Sequence, residues 1–492
     1  MMQEKVPSSR PALFWPVLRR GDQLRRSARL GWLGLARGPM PIATRGLVLS
    51  LLLSAPAGGT AQDANYWTYQ FGTRSNLLGG AVVGSAVDLS ATFYNPGALS
   101  LLDERPVIAS TMVFELSRLS LAGGSELDLS ELRFGEAPGF FAGTLPFAFL
   151  GSQVLAYSVL TRHRFKARLG ETTVGVIDTL GLQGDFFGKI RFERDMDEQW
   201  FGLSWSARAG GFGVGLTQYV AHRSHRGTDV LLGEAFPARG GGAITLAETD
   251  FSYGNYRMLW KFGAAFEWMG ASIGLTTTTP GVRLFGDGTL ELNRTVFGQD
   301  PTGDGVLDPF FVAGFEKSIP STYKSPWAVA VGTALRRGRI RVHLSAEYFG
   351  KVGEYKILDA EDFIGQTTGD TVVFDLTTAL DPVLNVAVGL EHTLSNRFTG
   401  YAGFWTDASA RPDTDRFDPA ISRWNLAFVS VGAAAKIGTS DLTFGLAFGF
   451  GGSDAAGDGS GNRGIDDELV GGVFDELAVD YRSLRFMIAF SI

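Results

Sequence analysis

The sequence predicts an all-β fold, a transmembrane antiparallel β-barrel of about 14 strands. Three observations lead to this prediction. The hydrophobic content is 45%, yet no apolar run reaches the roughly 18 residues that a membrane-spanning helix needs. Large apolar residues instead alternate with small or polar ones, with the period of two that is typical of a strand with one buried face. Short turns also alternate with long polar stretches, as in an outer-membrane barrel.

Residues 1–61 differ in composition from the rest, and we interpret them as a basic leader and signal peptide. They carry nine Lys and Arg against two Asp and Glu, whereas the whole 492-residue chain has a net charge of −7. The remainder of the chain is therefore strongly acidic. Such a charge repels a polyanion, which argues against nucleic acid as a partner.

The end of this zone has the layout of a secretory signal peptide. Arg45 precedes the apolar run Gly46–Leu53, and small residues at 59–61 offer a cleavage site before Gln62. Met40 is a natural start for such a peptide. Two alternatives remain for the residues before it, an over-extended gene start or an unusual basic leader.

A stretch of mostly small residues, Gly79–Leu99, follows the predicted signal peptide and precedes the first predicted strand. Its glycines and alanines carry little side chain, so its backbone can pack closely in a narrow space. Asp88 is predicted to cap a short helical turn over residues 89–92. Asn95 and Pro96 are predicted to end that turn, because the residue before a proline is pushed out of the helical region.

This stretch resembles the N-terminal hatch of the FadL family, which are outer-membrane transporters of long-chain fatty acids and other hydrophobic molecules. Members of that family carry a small-residue run, an acidic residue and an NPA-type turn between the signal peptide and the first barrel strand. The turn here reads Asn-Pro-Gly-Ala-Leu over residues 95–99, and its glycine departs from the commonest form. The hatch residues that the resemblance marks are Gly79, Gly80, Gly84, Asp88, Asn95 and Pro96.

The resemblance implies that residues 62–104 form a hatch that plugs a barrel formed by residues 105–492. It implies passive diffusion of a hydrophobic, fatty-acid-like molecule across the outer membrane of a Gram-negative-type bacterium, in contact with outer-membrane lipid and lipopolysaccharide. It also implies insertion by the barrel assembly machinery, and no cofactor. A FadL-like barrel acting in protein secretion or surface attachment is one alternative, and an outer-membrane enzyme is another.

From about residue 105 onward the alternation marks individual strands. In three clear cases, residues 256–268, 340–348 and 442–450, large apolar residues occupy one face and small or charged residues the other. In an outer-membrane barrel the apolar face turns to lipid and the polar face lines the lumen. The chain ends on a similar strand, with apolar residues alternating from Leu484 to Ile492. Aromatic residues near predicted strand ends fit an interfacial girdle: Trp268, Tyr348 and Trp424.

Turn signals divide the array into hairpins, and counting strands on both sides of each turn gives about 14. The predicted tight turns lie at Gly151-Ser152, Gly210-Gly211, Met269-Gly270, Arg337-Gly338, Ser395-Asn396 and Gly438–Ser440. The predicted long polar loops are Gly170–Asp197, His222–Gly242, Pro280–Tyr323, Gly353–Val372, Asp407–Ala420 and Ser453–Asp480.

Three basic residues on the polar faces of predicted strands are candidate ligand-binding residues: Arg257, Lys261 and Arg341. A fatty-acid transporter needs an apolar pocket with a cation for the carboxylate. The competing interpretation is that barrel lumens carry charges in any case, balanced here by Glu267 and Glu347.

Other candidate sites are weaker. The chain has no cysteine and five histidines, and it contains no catalytic motif that places a nucleophile beside a base, so we predict neither an enzyme nor a disulfide framework. His222 and His225 lie in a predicted loop without the further ligands that a metal site needs. The Asp300–Asp308 loop resembles part of a calcium loop, but Phe311 stands where the last acidic ligand belongs. We interpret it as a solvated acidic loop.

Overall fold

The computed structural model describes residues 64–85, 87–102, 108–123, 127–146, 153–179, 182–237, 241–298, 309–367, 369, 371–373, 375–412, 424–453 and 477–492. The predicted leader and signal peptide, the Gly151-Ser152 turn and the Asp300–Asp308 loop lie outside these residues.

Nearly all regular structure in the described chain is β-strand. The strands are β1 Ile108–Gly123, β2 Leu127–Leu145, β3 Val154–Thr179, β4 Leu182–Ala209, β5 Phe212–Pro237, β6 Ala243–Trp268, β7 Ala271–Thr278, β8 Val282–Phe297, β9 Phe310–Pro320, β10 Ala328–Arg337, β11 Ile340–Phe349, β12 Val352–Asp359, β13 Phe363–Ile364, β14 Thr371–Val372, β15 Asp375–Leu380, β16 Val383–Thr393, β17 Phe398–Asp407, β18 Asn425–Ile437, β19 Ser440–Ser453 and β20 Leu477–Ser491. Helix α1 spans Ala91–Tyr94, and a 3₁₀ helix spans Pro96–Leu101. Neither described helix is long and apolar enough to cross a membrane.

Fourteen antiparallel strands close into a barrel, which confirms the predicted fold class and strand count. The ring runs from β5 back to β1, continues through the last strand β20 to β16, and returns through β11, β10, β7 and β6. Pairing between β5 and β6 completes it. Each strand of the ring therefore pairs with a neighbour on both sides, as a sheet in lipid requires, although the pairing of β2 with β3 is short.

One end of the barrel carries the tight turns, and the structure agrees with the sequence at Gly210-Gly211, Met269-Gly270, Gly338, Ser395-Asn396 and Gly438. We call this the tight-turn end and the opposite one the long-loop end. Positive φ angles at Gly210, Gly270, Gly338 and Gly438 explain why glycine stands in these turns.

The long-loop end is more regular than the sequence predicts. Residues predicted as loops at Gly170–Asp197 and His222–Gly242 instead belong largely to β3, β4 and β5, which pair with one another over their whole length. The polar composition was misleading because both faces of a strand that projects beyond the membrane can be wet. The change to polar residues marks the end of the apolar band, and the strand itself continues past that point.

The sheet also branches at the long-loop end. The second half of β6 pairs with β7, and its first half pairs with β8, which in turn pairs with β9. Two small sheets, β12 with β15 and β13 with β14, lie near this extension. Together they enclose a separate apolar core that includes Phe251, Leu290, Val312, Ile357 and Leu376. We call this part the outer subdomain.

The outer face of the ring is apolar, as the alternation predicts. On β19, Phe444 and Phe448 expose 44% and 46% of their surface, whereas Ala447 between them on the inner face exposes 2%. Trp268 and Tyr348 also face outward. Trp424 does not: it is 3% exposed and its indole packs on Tyr481 inside the barrel, so its predicted place in the girdle is wrong.

The N-terminal segment, residues 64–102, lies inside the ring with almost every side chain buried. Its 3₁₀ helix packs on the inner faces of β4, β5 and β6. Helix α1 begins at Ala91, two residues later than predicted, and it ends at Tyr94, where Asn95 and Pro96 were predicted to stop it. Pro96 then opens the 3₁₀ helix, which the sequence analysis did not predict.

Candidate functional site

The lumen near the tight-turn end is filled by the N-terminal segment, whose backbone lies directly on glycines of the barrel wall. A Cβ on Gly274 would stand 2.0 Å from the carbonyl oxygen of Val83, and one on Gly332 would stand 2.6 Å from the backbone nitrogen of Gly84. Any side chain at these wall positions would push the segment away. We call these wall residues the glycine belt: Gly213, Gly215, Gly263, Gly274, Gly332, Gly389, Gly403, Gly432 and Gly445.

Eight members of the glycine belt form four pairs that face one another across neighbouring strands. Gly215 pairs with Gly263, Gly274 with Gly332, Gly389 with Gly403, and Gly432 with Gly445. The sequence analysis missed this belt. Its signal is present, since glycine recurs a few residues from each tight turn on the polar face of predicted strands.

Hydroxyl and amide groups of the wall hold the segment in place. The Thr217 Oγ1 and the Tyr219 hydroxyl both donate to the carbonyl oxygen of Thr92, at 2.7 and 2.8 Å. Asn95, a predicted hatch residue, donates from Nδ2 to the carbonyl oxygens of Val83 and Ala264, at 2.7 and 3.0 Å. Asn95 therefore joins two parts of the segment to β6.

The predicted hatch glycines occupy crowded positions. Gly79 and Gly80 have φ angles of 64° and 73°, and a Cβ on Gly80 would stand 2.0 Å from Oε1 of Gln70. A Cβ on Gly84 would stand 2.4 Å from the backbone carbonyl of Gly332. Each position excludes a side chain for a local reason, which is either backbone conformation or contact with the wall.

Asp88 is the polar centre of the N-terminal segment. Its buried carboxylate accepts backbone N–H bonds from Arg74, Ser75 and Ser90 at 2.7, 3.0 and 2.9 Å. It also accepts hydroxyl bonds from Ser75 and Ser90. Burial alone would raise the pKa of Asp88, but the Arg74 guanidinium and these hydrogen bonds hold the pKa below its usual value. The predicted capping role is wrong, because the N-cap of α1 is Ser90, which makes no side-chain cap bond, and Asp88 bonds the N–H of Ser90 outside the helix.

Farther from the tight turns, the lumen is lined by large charged and aromatic side chains. We call this region the chamber, and it is lined by Tyr66, Phe93, Arg162, Glu198, Trp200, Arg257, Lys261, Tyr323, Glu347 and Phe349. Glu198 accepts a bond from Arg223 at 2.9 Å and pairs with Arg257 as well. The Tyr323 ring lies 4.0 Å from the Arg223 guanidinium carbon and 4.7 Å from that of Arg257.

Donors in the chamber outnumber acceptors. Nε and Nη1 of Arg257 are buried and have no hydrogen-bond partner. Arg162 is 5% exposed and stacks near Phe93 and Trp200, with no hydrogen-bond acceptor among the described residues. Lys261 lies 3.5 Å from Glu347, whose second oxygen accepts from the Trp67 indole. The chamber therefore has spare positive charge beside aromatic walls.

The structure brings two of the three predicted ligand residues together. Arg257 and Lys261 both line the chamber, whereas Arg341 lies at the tight-turn end, 3.4 Å from Glu267. Sequence reasoning missed Arg162, because a bulge in β3 breaks the alternation there. Thr161 pairs with Gln199 and His163 with Glu198, so the extra residue leaves both Arg162 and His163 buried inside.

The two loop histidines lie on β5, and their predicted loop position is wrong. The His222 ring stacks on Tyr256 with centroids 4.3 Å apart, while His225 packs on Phe251 and Tyr253. Residues three apart on a strand point to opposite faces, so these imidazoles cannot share one ion. In the described part of the chain, no group of three acidic, His or Cys side chains could hold a metal.

One serine and histidine pair deserves comparison with a hydrolase site. Ser85 Oγ and His343 Nδ1 share a hydrogen bond of 2.9 Å, and Glu391 lies 3.6 Å from the other ring nitrogen. That nitrogen has no hydrogen-bond partner, so nothing orients the imidazole as a triad requires. Both Ser85 and His343 are buried under the segment. We interpret the pair as a link between the segment and β11.

The barrel wall is open between β2 and β3. These strands pair only from Phe140–Leu160 to Leu145–Leu155, although both continue well beyond. Two residues of β2, at 138 and 139, stand opposite a single residue of β1, and this bulge marks the point where β2 leaves β3. A cavity of about 110 Å³ lies at the gap, lined by Tyr69, Arg133, Glu136, His163, Arg164, Lys166 and Tyr481 among others. Among the described residues, His163 alone lines both this cavity and the chamber.

Solved structures of hydrocarbon transporters and of a FadL homologue share this architecture. The toluene transporter TodX of P. putida matches with a TM-score of 0.54 and 10% sequence identity, covering 86% of this chain and 98% of that one. A Pseudomonas aeruginosa FadL homologue matches with a TM-score of 0.51 and 13% identity, covering 88% and 98%. This chain has the FadL fold. The resemblance predicted from the sequence is therefore confirmed at the level of fold.

The FadL fold is recognised here from structure, since neither a protein-family model nor a characterised protein matches the sequence itself. A TodX mutant described as a monoaromatic hydrocarbon channel also matches, with a TM-score of 0.54 and 12% identity, covering 86% of this chain and 99% of that one. The closed ring and the apolar outer face are those of an outer-membrane barrel.

Proposed function

We propose that this protein carries hydrophobic molecules with an acidic head group, such as fatty acids, across the outer membrane by passive diffusion. The fold supports transport of a hydrophobic molecule, because solved structures of the same fold are described as toluene transporters, monoaromatic hydrocarbon channels and a FadL homologue. The residues of the chamber support the narrower choice of an organic acid.

The observation that carries this choice is the spare charge of the chamber. A neutral hydrocarbon gives a buried guanidinium nothing to bind, and burying an unpartnered charge is costly. A carboxylate accepts two parallel bonds from an arginine fork, so it fits the free donors of Arg162 and Arg257. Phe93, Tyr66 and Phe349 offer apolar surface for the remainder of such a ligand.

The chamber has little free volume in this conformation. It holds about 40 Å³, enough for a few water molecules, so a ligand enters only when lining side chains move. Tyr323 is a candidate for such movement, because it follows β9 and covers Arg223 and Arg257 from the side of the outer subdomain. A ligand carboxylate would replace the ring as the partner of Arg257.

We further propose that the N-terminal segment acts as a hatch and that the ligand leaves sideways. The segment fills the lumen at the level of the glycine belt, which supports a closed path toward the tight turns. The chamber meets the cavity at the β2–β3 gap through His163. An amphiphile moving through that gap would reach the bilayer with no need to cross water.

Ligand binding tests the proposal. Calorimetry should report titration of the full-length protein in neutral detergent with dodecanoate or with toluene. We expect dodecanoate to bind, and the Arg162→Gln variant to bind it about tenfold more weakly, the usual loss of one charge-assisted bond. Toluene should respond little to that substitution.

Arg482→Gln is the matched control, since Arg482 is exposed and paired with Asp480 at the long-loop end. Equal affinity for dodecanoate in the wild type, Arg162→Gln and Arg482→Gln would contradict the acidic-ligand proposal. If toluene bound well and dodecanoate did not, the chamber would serve neutral hydrocarbons instead.

A further inference from the structure

A second basic cavity lies at the tight-turn end, between the N-terminal segment and the wall. It has a volume of about 290 Å³ and is bounded by side chains from the segment, β10, β11 and the strands from β16 to β19. We call it the mouth basin. Its basic lining residues are Arg74, Arg336, Arg341, Arg397 and Lys436, and its acidic ones are Glu391 and Asp441.

The excess of positive charge in the mouth basin is unusual for this chain. The chain as a whole is acidic, with a net charge of −7, yet five cations and two carboxylates line the basin. Asp88 beside Arg74 and Glu267 beside Arg341 raise the number of nearby carboxylates to four, which leaves one cation in excess. Each cation destabilises the others unless an anion is nearby, and water screens this repulsion least at Arg74 and Arg341, which are less exposed than Arg336, Arg397 and Lys436. The cavity therefore has the electrostatics of an anion site.

Two of the arginines keep free donors. Nε of Arg74 and Nε of Arg341 are buried and have no hydrogen-bond partner. The recorded bonds of Arg341, from Nη2 to Glu267 and to Ser272, are long at 3.4 Å each. Arg74 also donates from Nη2 to the carbonyl oxygen of Val87, so Nε is the unpartnered donor of each guanidinium. Arg74 belongs to the segment and Arg341 to β11, so the two free Nε donors come from the two bodies that the basin separates. A guanidinium fork of this kind matches the geometry of a carboxylate or a phosphate.

We propose that the mouth basin binds a soluble oxyanion, of the phosphate or polycarboxylate type, which joins Arg74 to Arg341 and holds the N-terminal segment against the wall. Bilayer lipid cannot reach the basin, because Tyr401 and Ala434, which line it, are buried on the inner face of the ring. An anion that binds only the docked segment stabilises docking by mass action. This inference does not depend on which molecule the chamber carries.

The same carboxylate chemistry could come from a free anion or from the head group of an amphiphile in the lumen, so the test uses both. The full-length protein in neutral detergent is titrated by calorimetry with pyrophosphate, with citrate and with dodecanoate, against chloride at equal ionic strength. We expect pyrophosphate or citrate to bind, and Arg341→Gln to weaken that binding about tenfold, as expected for loss of one charged hydrogen-bonding group. Protease cleavage within residues 64–102 should slow when the anion is added.

Arg397→Gln provides a second variant, because Arg397 is exposed and its loss should leave folding intact. Arg482→Gln at the opposite end is the control. Binding that both basin variants leave unchanged would mean an adventitious ion only, and the proposal would fail. It would also fail if only dodecanoate bound the basin, or if pyrophosphate and citrate gave no more heat or protection than chloride.

Discussion

The two halves of the lumen are built from opposite kinds of residue. At the glycine belt the inward residues of the wall are glycine, and the N-terminal segment lies directly against them. In the chamber the inner face carries arginine, glutamate, tryptophan and tyrosine, and side chains contact side chains. Both halves use the same strands with the same alternation. The size of the inward residue therefore determines whether a region of the lumen holds the segment or is left for a ligand.

This difference assigns separate tasks to the two halves. Glycines that leave room only for a backbone create a close-packed contact between the wall and the N-terminal segment, and this contact tolerates no added atoms. Arginines with free donors specify a site that gains from an incoming anion. The predictions below alter one half at a time, beginning with the change that should cost the most free energy.

Removing the Asp88 carboxylate should have the largest effect on the docking of the N-terminal segment against the barrel wall. Asp88→Ala leaves the buried N–H groups of Arg74, Ser75 and Ser90 without their acceptor, at about 1–3 kcal/mol for each. We expect the segment to detach while the barrel stays folded. Protease cleavage within residues 64–102 measures detachment, and unchanged mobility of the unboiled protein on a gel reports the barrel. Asp480→Ala, at an exposed carboxylate, is the control. Equal cleavage of the two variants would contradict the prediction.

Asp88 also predicts how docking depends on pH. Its pKa is lower in the docked segment than in an unfolded chain, so its contribution to stability is complete above its ordinary pKa of about 4. That contribution is lost as the pH falls through the lowered value. The difference in protease protection of the segment between the wild type and Asp88→Ala should therefore be constant from about pH 8 to pH 5 and shrink only below about pH 4. A decline centred near neutral pH would show that another group controls docking.

Overpacking the glycine belt should cost less than losing Asp88. Gly332→Val places a side chain against the backbone of Gly84, and overpacking a fitted site typically costs about 1–3 kcal/mol. Gly254→Val is the matched control, because Gly254 is also a strand glycine and has open space where a Cβ would stand. We expect higher ion conductance in planar bilayers for Gly332→Val only. Similar conductance of both variants would remove the distinction between the belt and other wall glycines.

The smallest expected effect concerns passage from the chamber to the wall opening. His163 lines both cavities, so His163→Trp should narrow the connection and slow uptake of dodecanoate into liposomes several-fold, with little change in its affinity. Phe201→Trp, which faces lipid on β4, is the control. If His163→Trp left uptake unchanged, the ligand would leave by another route.

Much of the fold was predictable because alternation is a local property. The apolar faces at residues 256–268, 340–348 and 442–450, the tight turns and the end of α1 before Pro96 all follow from neighbouring residues. The strand count followed from the turns. The predicted ends of the strands at the long-loop end were wrong, because strand residues that project into water, such as those around His222, are as polar as loop residues.

The candidate site was harder to predict because its contacts join distant parts of the chain. Nothing near Glu198 in sequence indicates that Arg223 and Arg257 converge on it, and Arg341 looks equivalent to Arg257 until the barrel places them apart. The bulge that turns Arg162 inward cannot be read from alternation, which it interrupts. The glycine belt was visible as composition but acquires meaning only when the segment is placed inside the ring.

Single-channel conductance tests most directly whether the N-terminal segment closes the lumen at the glycine belt. The intact protein and a variant lacking residues 64–102 would be compared in planar bilayers, each first shown to be a folded barrel by its gel mobility before and after boiling. We expect the intact protein to pass almost no current and the deletion to open a stable aqueous pore, because the belt glycines leave that half of the lumen empty once the segment is gone. A deletion variant that is folded yet no more conductive than the intact protein would contradict the assignment of the two halves.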